Sequence, residues 1–173
     1  KYNTLPYEAV EERKAILRNI VGKAKGNFVI EPSFWCDYGC NVSLGDNFYA
    51  NHNLVILDAA PVVFGDNVFI APNCCFTTAG HPIDVELRNK GLEYAHPITV
   101  GNNVWIGAGV TVLPGVSIGD NVTIGAGSLV NRDIPSDSVA VGVPCKVIKQ
   151  TKQESLLLCL FIWFILQFSS NRR

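Results

Sequence analysis

The sequence predicts an all-β solenoid, on three observations. From Val100 onward an aliphatic residue recurs at every sixth position: Val100, Ile106, Val112, Ile118, Ile124 and Val130. A second small or β-branched residue lies four places after each of the first five, at Val104, Val110, Val116, Val122 and Ser128. Gly, Asn and Asp fill the positions between, as in VGNNVW, IGAGVT and IGDNVT. A six-residue unit is a short strand plus a turn, and it cannot bury its apolar side alone. Neighbouring units must therefore stack, three to a triangular coil, for about six to seven coils in all.

The elements follow in chain order. Residues 7–22, YEAVEERKAILRNIVG, read as an amphipathic helix with Ala9, Val10, Ile16, Leu17, Ile20 and Val21 mostly on one face. Pro6 stands just before it and Gly22 supplies a stop. Residues 1–25 thus form an N-terminal helical segment. Behind it the six-residue register runs through Ile30 and Cys36, slips by two residues to Leu44, Ala50 and Ile56, and slips again to Phe64, Ile70 and Phe76. Residues 26–150 make the solenoid domain. One long excursion, TTAGHPIDVELRNKGLEYAHP at residues 77–97, interrupts it. Excursions of that length in a regular repeat are where function concentrates. Residues 151–173 are a separate tail. Its apolar run, Leu156 to Phe168, falls short of the about twenty residues that span a bilayer. A buried terminal helix, an edge strand, a membrane-associating tail and an aberrant gene end all remain open for it.

Composition narrows the function class. The 173 residues are 48% hydrophobic and 17% charged, which suits one globular domain. A net charge of −1, without basic clusters, gives no footprint for nucleic acid or for an anionic membrane surface. The six cysteines, Cys36, Cys40, Cys74, Cys75, Cys145 and Cys159, form no CxxC pair. They read as free, core-filling thiols, which suits a cytoplasmic address. The sequons at Asn41 and Asn121 are then incidental. Methionine is absent, position 1 included, so the chain is expected to be a fragment or a matured product.

Three blocks carry a narrower resemblance. FWCDYGCNVSLGDNFYANHNLVILDAAP, IAPNCCFTTAGHPIDVELRNKGLEYAHPITVGNNVWIGAGV and NRDIPSDSVAVGVPCKVI resemble the maltose and galactoside O-acetyltransferase family of hexapeptide-repeat acyltransferases. The similarity runs from Leu5 to Gln150, with the GHPID, YANHN and NNVWIG segments its most specific parts. It implies a left-handed parallel β-helix with acetyl-CoA as co-substrate and a small sugar as acceptor. It also implies a cytoplasmic homotrimer with active sites between subunits, and a longer N-terminal region of which residues 1–25 are the remnant.

By the same resemblance His81 is the catalytic base. A sugar hydroxyl is a weak nucleophile at neutral pH, and a neutral imidazole can take its proton during attack on the thioester. Glu93 is expected to orient or polarise His81, and Asn51 to sit where donor and acceptor meet. Asp37 and Asp58 would accept hydrogen bonds from sugar hydroxyls, and Trp105 would wall the acetyl group. Ala108, Ala126, Asn131 and Arg132 would line the pantetheine arm, with the Ala108 amide as oxyanion donor. Lys146 and Lys149 would meet the nucleotide phosphates. The galactoside branch carries two consecutive acidic residues where this chain has Asp58 and Ala59, which favours a maltose or glucose type of acceptor. No metal is expected: the three histidines do not reproduce the zinc pattern of γ-type carbonic anhydrases. Two other readings stay open, an acetyltransferase for a xenobiotic or an amino sugar and a catalytically silent scaffold.

Overall fold

The computed structural model describes residues 1–6 and 8–151; the apolar run from Leu156 to Phe168 lies outside them. Short strands stack in parallel into three faces. The first face holds Lys23–Ala24, Val42–Leu44, Val62–Phe64, Ile98–Val100 and Ser117–Ile118. The second holds Phe28–Ile30, Phe48–Ala50, Val68–Ile70, Val104–Ile106, Thr123–Ile124 and Ser138–Val141, with Lys146–Gln150 added antiparallel at its edge. The third holds Phe34–Cys36, Leu54–Leu57, Cys75–Thr77, Thr111–Val112 and Leu129–Val130.

The six-residue rule is the inward row of this stack. Val100, Ile106, Val112, Ile118, Ile124 and Val130 are all buried, and so are Val104, Val110, Val116, Val122 and Ser128. Each strand alternates, so the two apolar positions of a unit face inward while the residue between them faces out. Lower in the stack aromatic rings fill the same axis. Phe64 packs 5.1 Å from Phe48 and 5.0 Å from Phe76, ring centre to ring centre.

Register explains both slips. Partners on neighbouring coils are 20 residues apart at the base (Phe28 with Phe48, Tyr49 with Phe69) and 18 apart above (Trp105 with Thr123). Between Val68 and Val104 the spacing is 36, twice the regular value, because the excursion leaves the stack there. The stack holds five complete coils and the start of a sixth, fewer than the repeat count suggests. The enlarged coils at the base and the excursion take up the difference.

Corners are turned by side chains that tolerate left-handed backbone. Asn47, Asn67, Asn103, Asn121 and Asp137 have φ between 54° and 59°. They stand one above another, and each asparagine amide donates to the next side chain, at 2.9, 3.1, 3.0 and 2.8 Å. The ladder gives every coil after the first the same corner.

The N-terminal helix is shorter than its sequence pattern. Helix α1 spans Val10–Ile20, Val21 caps it, and Val10 is 55% exposed. Leu17 and Val21 are buried, and the unexpected inward residue is Arg13, whose guanidinium donates to the Pro6 carbonyl at 2.6 Å. Gly22 follows for a steric reason: a Cβ there would lie 1.9 Å from the Cys40 carbonyl oxygen. Tyr2 reaches from the Tyr2–Thr4 turn to donate to the Ile30 carbonyl, and burial pushes its phenol up to about 12. Among the described residues no helix is long and apolar enough to cross a membrane.

Candidate active site

The excursion leaves the third face after Thr77 and rejoins the first at Ile98, so it stands on the corner between those faces. Ala79–Gly80 and Tyr94–Ala95 pair antiparallel as its stem. Beyond the stem lies a one-turn helix, α2 (Val85–Asn89). Asp84 caps it by accepting from the Leu87 N–H at 2.9 Å, and Arg88 donates to the carbonyls of Pro82 and Ile83. The loop is thus held by local hydrogen bonds and presents His81 at the end of the stem.

Two groups flank the imidazole. Nδ1 lies 3.2 Å from the Leu92 carbonyl oxygen, and Nε2 lies 3.5 Å from Glu93 Oε1. A carbonyl can only accept, so Nδ1 carries the hydrogen and Nε2 of the neutral ring is left basic. His81 and Glu93 share an open cleft with Asp37, Tyr38, Leu57, Ala59, Thr77, Ala79 and Gly80. Thr78, fully buried beneath, accepts from the Ala60 N–H at 2.9 Å and donates to the Leu57 carbonyl at 2.7 Å, which fixes the cleft floor.

Asp58 is placed differently from its expected role as a sugar contact. It is fully buried, and its carboxylate accepts from the backbone N–H groups of Asp37, Tyr38 and Asn41 at 3.0, 2.9 and 3.3 Å. Asn41 adds a 2.7 Å bond from its side-chain amide to the Asp58 carbonyl. Its oxygens are turned into the protein, so Asp58 shapes the cleft wall instead of touching a ligand. Cys36 stands beside the same wall. Burial, with the charges of Asp58 and Asp37 near it, pushes its thiol up, which argues against a thiolate nucleophile.

The remaining expected residues divide between places. Asn131 and Arg132 follow the third face, on the His81 corner but higher in the stack. Trp105 points outward from the second face, 56% exposed, beside Phe69. Asn51, Ala108 and Ala126 line the corner between the second and third faces, where Ala108 accepts from the Gly127 N–H at 2.8 Å. Lys146 and Lys149 lie on the antiparallel strand at the end of the second face, opposite Val141 and Val139. One chain therefore brings together Asp37, His81 and Glu93. It leaves Asn51, Trp105, Ala108 and Ala126 across the third face, whose strands of two to four residues span about 7–13 Å. Among the described residues no group of three or more His, Cys, Asp and Glu side chains is placed to hold a metal ion. Sequence reasoning missed Tyr38, Thr78 and the Leu92 carbonyl. Only Tyr38 had a signal, its place between Asp37 and Gly39 in the CDYG segment.

Comparison with known proteins decides the family. The family model described as bacterial transferase hexapeptide (six repeats) matches residues 97–132. A galactoside acetyltransferase solved in complex with coenzyme A superposes with a TM-score of 0.87 at 46% identity, covering 90% of this chain and 78% of its own. A maltose O-acetyltransferase from Clostridium difficile 630 gives 0.87 at 48% identity, over 88% and 81%. A Saccharomyces cerevisiae protein named as an acetyltransferase is 59% identical over 154 residues, 89% of this chain and 79% of its own. The chain belongs to the maltose and galactoside acetyltransferase family. Its solenoid is the left-handed parallel β-helix of these hexapeptide-repeat acetyltransferases. In this acetyltransferase the excursion is the feature that departs furthest from the repeat, and it carries the histidine.

Proposed function

We propose that this acetyltransferase moves an acetyl group from acetyl-CoA to a hydroxyl of a small sugar, with His81 as general base. The observation that carries the reading is the Leu92 carbonyl oxygen 3.2 Å from His81 Nδ1. With Nδ1–H donated to the Leu92 carbonyl, Nε2 keeps its lone pair toward the cleft. Nε2 takes the proton of the sugar hydroxyl as its oxygen attacks the thioester carbonyl. The imidazolium that forms is then 3.5 Å from the Glu93 carboxylate. Collapse of the tetrahedral intermediate expels the CoA thiolate, and the proton on Nε2 passes to it.

On this reading the donor side comes from a second subunit. Attack needs reacting atoms about 3–3.5 Å apart, which a corner one face away cannot provide. In a homotrimer a neighbour would set its Asn51, Trp105, Ala108 and Ala126 against the His81 corner, with the Ala108 amide receiving the oxyanion. Asn131 and Arg132 would continue the groove along the axis, and Lys146 and Lys149 would meet the phosphates. Asp37, exposed in the cleft beside His81, is placed to accept from a sugar hydroxyl. Ala59 lines the same cleft, and a neutral residue there supports a maltose or glucose type of acceptor over a strict galactoside. A cytoplasmic setting fits the free thiols of buried Cys74 and Cys145 and half-buried Cys75, all pushed up by burial.

Acetyl-CoA-dependent release of free CoA over a sugar panel, with the wild type and His81→Ala, tests this. The expected result is turnover driven by glucosyl or maltosyl acceptors and a loss of about 10²–10⁴-fold in the variant. Turnover that survives in His81→Ala would sink the base assignment. Failure of the wild type to bind CoA would leave a scaffold.

A further inference from the structure

The cleft that holds His81 is walled by a turn of which the mechanism above uses Asp37 alone. Residues 37–41 form it, and two independent anchors hold it. From below, the buried Asp58 carboxylate gathers the N–H groups of Asp37, Tyr38 and Asn41. From behind, Gly39 is buried against α1 in a left-handed conformation (φ +75°), where a Cβ would meet Ile20 Cγ2 at 2.5 Å and the Ile20 carbonyl oxygen at 2.7 Å. A carboxylate taken out of water needs such a set of donors, and here all three are backbone groups of one turn. Asp58 therefore fixes the course of this segment.

What the turn presents is Tyr38. Its side chain is 68% exposed and lines the cleft together with Asp37, His81 and Glu93. An exposed aromatic ring on a rigid turn, in a cleft whose polar lining is Asp37, Thr77, His81 and Glu93, has the layout of a site for an amphipathic ring. A pyranose is such a ring, with C–H groups on its faces and hydroxyls around its rim.

We propose that Tyr38 is the acceptor-selecting platform of the cleft, packing against the C–H face of a pyranose while Asp37 reads its rim, and that Asp58 is the positioning residue that holds it there. The inference rests on the sugar reading above and deepens it. It assigns the choice among acceptors to the Tyr38 turn and leaves the base and the donor groove to other residues.

Steady-state kinetics with maltose and glucose as acceptors test it, with the KM of acetyl-CoA measured in parallel. Tyr38→Ala is expected to raise the acceptor KM about 3- to 10-fold, with the acetyl-CoA KM and the thermal midpoint unmoved. Tyr38→Phe, which keeps the ring, is expected to stay within about twofold of wild type. Asp58→Asn is expected to raise the acceptor KM as well, and the double variant to do no more than the worse of the two single changes, because both remove one platform. An unchanged acceptor KM in Tyr38→Ala overturns the proposal, as does a parallel rise in the acetyl-CoA KM, which would put the ring on the donor or on a subunit contact. Independent, multiplicative effects of Tyr38→Ala and Asp58→Asn would refute the positioning role. A wild type that turns over no sugar while binding CoA is a different failure. It would remove the sugar reading itself, and this inference with it.

Discussion

From Ile98 to Val130 the interior aliphatic side chains of the fourth and fifth coils are at most 3% exposed, whereas residues 81–97 of the excursion bury no side chain at all. The two stretches are neighbours in sequence, yet they are held together by different physics. The coils are held by packing along an axis, where the inward residues are covered from above and below. The excursion is held by its stem, the Asp84 cap and the Arg88 bonds to Pro82 and Ile83. A segment with so little burial contributes little to global stability. Its freedom from packing lets it carry groups, such as a half-exposed histidine beside a carboxylate, that a core could not hold. Stability and chemistry are thereby divided between adjacent pieces of one chain.

Substitutions can press on that division. The largest effect belongs to the coil: Ile106→Ala, at a fully buried position, should cost about 2–5 kcal/mol in denaturant unfolding. A loss below about 1 kcal/mol there would mean that the axis is not what holds the stack. Next comes the corner. Asn103→Ala places an alanine at φ 54° and removes the bonds to Asn67 and Asn121, for an expected loss of about 1–2 kcal/mol. Asn103→Gly relieves the backbone part alone, so it should recover some of that loss; no recovery would place the whole effect in the ladder bonds. The smallest effect is expected in the excursion. Ile83 is 94% exposed, and Ile83→Ser should shift stability by no more than about 0.5 kcal/mol. A larger loss would show the excursion to be part of the stability unit after all.

The same division decides what could be read in advance. A buried axis constrains every sixth residue, so Val100 to Val130 announces the coils, and an interruption of that rhythm announces the excursion. The helix was harder, because its amphipathic pattern takes no account of Arg13, which folds inward to reach a carbonyl seven residues back. Asp58 illustrates a deeper obstacle. Its partners Asp37, Tyr38 and Asn41 lie 17 to 21 residues away, one coil below, and nothing local distinguishes a carboxylate that gathers N–H groups from one that faces a sugar. Tyr38 escaped for the complementary reason: an aromatic residue in a turn has no periodicity to violate. His81 and Glu93 were legible through the GHPID segment and its long loop. The Leu92 carbonyl that sets the imidazole tautomer was not, since every residue has a carbonyl.

A stack of parallel strands has no natural end. Each coil offers its N–H and C=O groups to the next, and an uncovered terminal coil would recruit another molecule and grow into a fibre. Here the base is closed by residues that cannot be extended as a strand: Tyr2 takes the Ile30 carbonyl, and the Asn3 side chain takes both the N–H and the carbonyl of Phe34. At the far end Lys146–Gln150 runs against the direction of the stack, with a register shift between Val139 and Ala140. A newcomer with the ordinary parallel repeat finds the wrong polarity there. Among the described residues the stack is a length cut from a potential polymer, and the segments at its two ends are ones that do not obey its repeat.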